Sequence, residues 1–260
     1  MDAENQLFIN RVLELSRLSY EKGVVVFSDF LNMYELNILY NIPKVDYYSK
    51  TFAFGGYEGS ERQMVAFYQD AFYLDKNLIP ISQTLSFPYA ILSISPLNLK
   101  FSEQLTHRDF LGAILNLGIE RTKVGDIIVR DECAYVFIHN NFIHFVSENL
   151  TRVRNTIVTI SEIPKENFTY TPKYTEIKGT VPSLRLDAIL SLAFSSSRNK
   201  LTGLIEGGKV FVNGKLTLSN SHKLKENDVI SVRGHGKFRY TGINSTTKKN
   251  RFLVSIYKYL

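Results

Sequence analysis

The sequence has one cysteine, Cys133, among 260 residues. An intramolecular disulfide and a Cys-based zinc site are therefore excluded, and a reducing cytoplasm is the default expectation. No run of 18 apolar residues occurs, so no membrane span is expected. The start, MDAENQLFIN, lacks a basic stretch followed by an apolar one, which argues against a cleaved secretory signal. Histidines number five (His107, His139, His144, His222, His235). The closest two are five apart, not the i, i+4 spacing of a helical zinc pair, so no metal is expected. Low hydrophobicity and high net charge, the marks of disorder, are also missing: apolar residues make up 44% and charged ones 22%.

Charge of both signs is present but segregated. Residues 1–80 carry a net −4, residues 81–163 a net −1, and residues 164–260 a net +11. A basic module is joined to a slightly acidic body, and basic surface implies a polyanionic partner.

Periodicity predicts an α+β chain. Residues 1–80 read as a small N-terminal α/β unit. A helix spans 4–22 with Phe8, Val12, Leu15 and Leu18 on one side, and a strand covers Val24–Phe27. Asp29 is expected to cap a helix over 30–40 with Leu31, Tyr34 and Ile38 inward. Strands at Lys50–Phe54 and Gln63–Tyr68 flank a glycine-rich connection, Gly55-Gly56-Tyr57-Glu58-Gly59-Ser60-Glu61-Arg62. Glu58, Glu61 and Arg62 there read as a solvated turn with a salt bridge. Residues 81–163 read β-α-β-β-α-β, the order of a ferredoxin-like unit shared by RNA-recognition motifs. Thr106 caps its first helix (Phe110, Leu111, Ile114, Leu115), and its second turns Phe142, Phe145, Val146 and Leu150 inward. Tyr135 and Phe137 alternate on one strand face, either as core against a helix or as a base-stacking surface. Residues 164–180, with two prolines and no sustained period, read as a linker.

The basic module spans 181–236. Ser183 is expected to cap a helix with Leu186, Ile189, Leu190 and Ala193 inside. Ser195 or Ser196 should cap a second, with Leu201, Leu204 and Ile205 inside, ended by Gly207-Gly208. Asn213-Gly214 between strand residues is a type I′ hairpin signal. A further strand, Val229–Val232, follows a turn at Asn227-Asp228. Residues 237–260 form a tail with six basic and no acidic residues, readable as an extra hairpin. Its Phe238, Tyr240 and Phe252 are candidates for stacking on unpaired bases.

The ordered series Arg185-Leu186-Asp187-x-x-Leu190, Ser197-Arg198, Leu204-Ile205-x-x-Gly208-x-Val210-x-Val212-Asn213-Gly214 and Asp228-Val229-Ile230-x-Val232 resembles the RNA-binding domain named after ribosomal protein S-four, also called the αL motif. The resemblance implies RNA contacts at Arg185, Arg198, Lys200, Lys209, Asn213 and Lys215. A second candidate set is Arg233, Lys237, Arg239, Lys248, Lys249, Arg251, His107 and Arg108. With Gly55–Arg62, the phrase Thr106-His107-Arg108-Asp109-Phe110-Leu111-Gly112 and Leu115–Ile119, the chain resembles the YlmH family of bacterial proteins over most of residues 1–240. That resemblance implies a non-catalytic, cytoplasmic, ribosome-associated protein without cofactor. Its expected partners are rRNA or tRNA on the large subunit, as in rescue of stalled subunits holding peptidyl-tRNA, with a link to cell division. No small-molecule substrate is evident, and a monomer is expected. The alternative is an RNA-modifying enzyme such as a pseudouridine synthase or methyltransferase.

Two further motifs carry little. Gly203-x-x-x-x-Gly208-Lys209 ends in Val210 rather than a hydroxyl residue and leaves a helix for a strand, the reverse of a phosphate-binding loop. His107-Arg108-Asp109 echoes a kinase loop, but no Asp-Phe-Gly follows.

Overall fold

The computed structural model describes residues 3–69, 85–130, 132–170 and 173–259. The chain divides into two units, Met1–Tyr170 and Thr171–Leu260. The charge divides with it, net −5 against net +11.

In the first unit, α1 (Ala3–Lys22) and α2 (Met33–Asn41) lie on one face of a three-stranded sheet ordered β1-β3-β2: β1 (Val26–Phe27), β2 (Lys50–Phe54) and β3 (Met64–Tyr68). All five residues of β3 are buried, so both of its faces are covered, which is why its sequence is a continuous apolar run rather than an alternation. Val65 and Phe67 meet Val12, Leu36 and Leu39 of the helices. The inner face of α1 also carries Ser16 and Ser19, both fully buried. Ser19 Oγ donates to the carbonyls of Val24 and Phe67, and Ser16 Oγ accepts from the backbone N–H groups of Tyr48 and Ser49, so neither hydroxyl is left unsatisfied.

The cap of α2 is Asn32, not Asp29. Asn32 Oδ1 accepts from the N–H groups of Tyr34 and Glu35, and Glu35 Oε2 accepts in return from Asn32 N at 2.7 Å. Asp29 is held elsewhere, with both oxygens 2.7 Å from Lys123 Nζ. Leu36 and Leu39 are the buried residues of α2, and Tyr34, expected inward, is 37% exposed.

The second layer holds β4 (Tyr89–Pro96), α3 (His107–Asn116), β5 (Val124–Arg130), β6 (Cys133–His139), α4 (Ile143–Asn149), a short β7 (Arg152–Val153) and β8 (Thr156–Ile163). The strands form an antiparallel sheet ordered β5-β6-β4-β8-β7, with elements in the expected β-α-β-β-α-β order. Phe110 and Ile114 of α3 and Val146 of α4 cover one face, over Leu92, Ile94, Val136 and Ile138. Phe145 points away and is 42% exposed. The other face, with Tyr89, Ile91, Tyr135 and Phe137, packs against Phe30, Met64, Ala66 and Phe87. Phe137 is fully buried, and the segment after β8 adds Phe168, 5.2 Å from the Phe137 ring and 5.5 Å from Tyr135. Tyr135 and Phe137 are thus core, but on the face away from the helices. The place where an RNA-recognition motif stacks bases is filled by this protein's own aromatics.

In the second unit, α5 (Leu186–Phe194) and α6 (Arg198–Glu206) lie over a six-stranded sheet ordered β11-β10-β12-β13-β14-β9. Its strands are β9 (Tyr174–Val181), β10 (Val210–Val212), β11 (Lys215–Leu216), β12 (Val229–Val232), β13 (Gly236–Thr246) and β14 (Phe252–Tyr259). Residues 164–180 are not a linker. Phe168 and Tyr170 belong to the first unit, where Tyr170 meets the Tyr57 ring at 4.8 Å, and Tyr174–Val181 pair residue by residue with β14. The tail forms a hairpin built into the same sheet, and Phe238, Tyr240, Val254 and Ile256 join Leu186, Ile189, Leu190, Leu201 and Ile205 in one core. Phe238 is fully buried and Tyr240 is 1% exposed, so neither is free to stack on a base.

Candidate RNA-binding surface

α5 begins without the expected serine cap. Its N-cap is Arg185, and its first two N–H groups donate instead to the carbonyls of His222 and Asn220, at 2.8 and 3.3 Å. The loop between β11 and β12 thus closes the helix end, satisfying donors that a side chain would otherwise cap. It also brings Lys223, a cation outside every motif, opposite Arg185 in an isolated antiparallel bridge. Arg185 Nε donates to Asp187 Oδ1 at 3.1 Å, and Asp187 is 7% exposed. The Arg-Leu-Asp phrase is therefore first a local ion pair that orients the arginine at the helix entry.

α5 ends with Ser195 in the left-handed region (φ 47°), and Ser197 is the N-cap of α6. Arg198 and Lys200 occupy the first turn and a half of α6 and are exposed. Gly207 closes α6, and Lys209 follows directly. Across the sheet, Arg233 N donates to Lys209 O at 2.8 Å, so these two cations sit at the same end of β10 and β12. Gly203-x-x-x-x-Gly208-Lys209 accordingly runs from helix to strand.

At the other end of β10, Asn213 and Gly214 have φ of 50° and 78°, as a type I′ turn requires. Val212 pairs with Lys215 across it. The Asn213 amide is committed within the protein: Nδ2 donates to Asp228 Oδ1 at 2.7 Å, and Oδ1 accepts from Val229 N at 2.9 Å. Lys215 is the exposed charged group at this turn. Of the six principal residues, Arg185, Arg198, Lys200, Lys209 and Lys215 thus present charge on one unit, whereas Asn213 holds the turn that carries Lys215.

The second set divides. Lys248, Lys249 and Arg251 are exposed at the tip of the β13–β14 hairpin, where Arg251 Nη2 donates to Thr180 O at 2.9 Å. Lys237 and Arg239 alternate with buried Phe238 and Tyr240, so they project from the sheet face opposite α5 and α6. His107 and Arg108 lie in the first unit, on the first turn of α3. Asp109 in that turn is a capping carboxylate. Its Oδ2 accepts from Thr106 N at 2.8 Å and Thr106 Oγ1 at 2.6 Å, and these bonds hold its pKa below the usual value. Partial burial, then the Arg121 charge, lower the His107 pKa against the pull of Asp126, so its ring is neutral near pH 7.

The glycine-rich stretch is an internal clasp rather than a solvated turn. Asp126 Oδ2 accepts from Tyr57 Oη at 2.6 Å and Glu61 N at 2.7 Å, and Oδ1 accepts from Arg62 N at 3.0 Å. The Arg62 guanidinium is half-buried and donates to the carbonyls of Val124 and Phe30, at 3.0 and 2.7 Å. Burial lowers its pKa. Arg121 donates to Val124 O and Gly125 O, and burial followed by the nearby Arg62 brings its pKa down to about 10. Among the described residues, no group of three His, Cys, Asp or Glu could hold a metal ion, and no helix is long and apolar enough to cross a membrane.

Two family models match. One, described as "Putative RNA-binding domain in YlmH", covers residues 83–167, and the S4 domain covers residues 184–230. The chain is 28% identical over 253 residues to "Ribosome-associated protein quality control protein P2" of Bacillus subtilis, covering 97% of this chain and 94% of the relative. Its fold matches a solved structure, "Cell division protein ylmH from Streptococcus pneumoniae", with a TM-score of 0.50 and 24% identity, over 65% of this chain and 97% of that one. The S4 match begins one residue before Arg185 and ends inside β12, so it takes in α5, α6 and the turn bearing Lys215. The chain is thus similar to YlmH proteins over residues 83–167 and along most of its length, and it carries a C-terminal S4 domain.

Proposed function

We propose that this protein is a non-catalytic RNA-binding protein that works on the ribosome, with the second unit as its RNA clamp. The observation that carries this reading is the coincidence of the S4 match with the unit holding net +11. Arg198 and Lys200 on α6, with Lys209 and Lys215 at the ends of β10, supply phosphate contacts, and Arg185 does so from the entry of α5. The carboxylates nearest these motifs already have structural work: Asp187 pairs with Arg185, Asp228 receives Asn213, and Asp109 caps α3. That supports binding rather than RNA modification. The name of the B. subtilis relative supports ribosome-associated quality control, and our reading places that work on large subunits holding peptidyl-tRNA. The name of the pneumococcal structure extends it to a link with cell division. We further place the protein in the cytoplasm as a monomer.

The test is sedimentation of the full chain with ribosomal subunits through sucrose. The wild type is expected to travel with the large subunit. Arg198→Glu/Lys200→Glu/Lys209→Glu should stay at the top of the gradient with an unchanged circular-dichroism melt. A folded triple variant that still cosediments fully would reject this surface.

A further inference from the structure

The strands β13, β14 and β9 have two faces of opposite character. Phe238, Tyr240, Val254, Ile256 and Ile177 face α5 and α6. The alternate residues project from the other face, and the register fixes their neighbours: Tyr257 lies between Arg239 and Glu176, Tyr259 beside Tyr174, and Ser255 beside Lys178. Tyr174 and Tyr257 stack with ring centroids 4.3 Å apart and 22° between planes. Tyr174 is 51% exposed. Lys237 Nζ stands 5.6 Å over the Tyr259 ring. Arg239 Nε is buried with no hydrogen-bond partner among the described residues. Glu176, a carboxylate on this face, lies 3.2 Å from Lys178 Nζ.

Rings held in a rigid sheet and interspersed with cations offer every base a π-face and every phosphate a counter-charge, without reading sequence. The hairpin tip prolongs the charge through Lys248 and Lys249, and no acidic residue follows Gly236. We propose that this sheet face is a second RNA-contact surface, on the side opposite α5 and α6, that takes unpaired nucleotides. A base extends the Tyr257–Tyr174 stack, and Lys237, Arg239 and Lys178 meet the phosphates. The stacking residues are Tyr174, Tyr257 and Tyr259, in place of Phe238, Tyr240 and Phe252. This inference rests on the RNA-binding reading above and gives the second unit two chemistries: phosphates of folded RNA on one side, unpaired bases on the other.

The experiment uses the full chain in fluorescence-anisotropy titrations with a labelled 12-nucleotide oligouridylate and, separately, a blunt RNA duplex. Tyr174→Ala/Tyr257→Ala should weaken oligouridylate binding about tenfold, the scale of losing a stacked base, and leave duplex binding within about twofold. Tyr174→Phe/Tyr257→Phe, which keeps the rings, should restore it. Arg198→Glu/Lys200→Glu should show the converse pattern, with duplex binding lost first. The inference is overturned if the Ala pair, folded by its melting curve, binds oligouridylate like the wild type. It is also overturned if the wild type binds duplex or ribosomes but no oligouridylate, or if the Ala substitutions change only self-association. A wild type that binds none of these RNAs would sink the RNA-binding reading too.

Discussion

At Gly56 in the first unit the backbone (φ +103°) lies so near Phe137 that a Cβ would stand 2.3 Å from its ring. Gly56→Ala should destabilise by roughly 2–4 kcal/mol in urea unfolding, from overpacking plus a left-handed backbone. Gly112, inside α3 with nothing within 4 Å of a Cβ, is the control. Gly112→Ala should stabilise by about 0.5–1 kcal/mol. Asp126→Ala leaves three donors without their acceptor and should cost about 3 kcal/mol, with RNA binding by the second unit unchanged. Two histidines set a pH response. Burial first, and then Arg121 for His107 and Lys123 for His139, hold both rings below 6.5. His139 Nδ1 also accepts from Asn141 N, a role for the neutral ring. The unfolded chain therefore binds more protons, so stability is full above pH 6.5 and declines as pH falls below it. Urea midpoints from pH 7.5 to 5 should fall for the wild type and fall less for His107→Gln/His139→Gln. None of these single-residue constraints was legible in the sequence. Glycines 55 and 56 announce a tight connection, but only the sheet opposite shows that Phe137 forbids a side chain at Gly56.

At the scale of elements, turns and helix starts set by local chemistry are legible in the sequence. Asn213-Gly214 needs positive φ at both positions and closes its hairpin in the structure. Thr106 and Asp109 mark the start of α3 within four residues. Other boundaries and faces depend on residues far along the chain. Asp29 and Asn32 are both good caps, and Lys123, 94 residues away, decides between them. Alternation at Tyr135 and Phe137 showed that one face is apolar but could not show which layer covers it. β9 went unread because Tyr174, Glu176, Lys178 and Thr180 occupy its outward positions and only Ile177, Gly179 and Val181 face the core, too sparse a pattern beside two prolines. Since β9, β13 and β14 complete the core of α5 and α6, the motif-bearing stretch should not fold alone. A 181–236 fragment should show no cooperative melt by circular dichroism, whereas 171–260 should melt as a single transition. A cooperative melt for the shorter piece would mean that the added strands are dispensable.

At the scale of the molecule, the chain joins an acidic unit to a basic one, and the net +6 conceals the difference. The likeness to YlmH proteins, the S4 domain and the location of positive charge were all legible in the sequence, because motif order and charge counts need no third dimension. The boundary between units was not, because the stretch read as a linker contributes to both. If phosphate contacts dominate, affinity for structured RNA should fall linearly on a log–log plot against salt, with a slope of about −0.9 per contact. Lys200→Ala should make that slope shallower by about one unit. The most direct test of the central claim is ultraviolet crosslinking in living cells, with sequencing of the bound RNA and mass-spectrometric mapping of the crosslinked peptides. Large-subunit rRNA or tRNA should be recovered, joined to peptides from residues 183–215 and from the β9, β13 and β14 strands. Crosslinks confined to residues 1–170, or no enrichment of ribosomal RNA or tRNA, would contradict it.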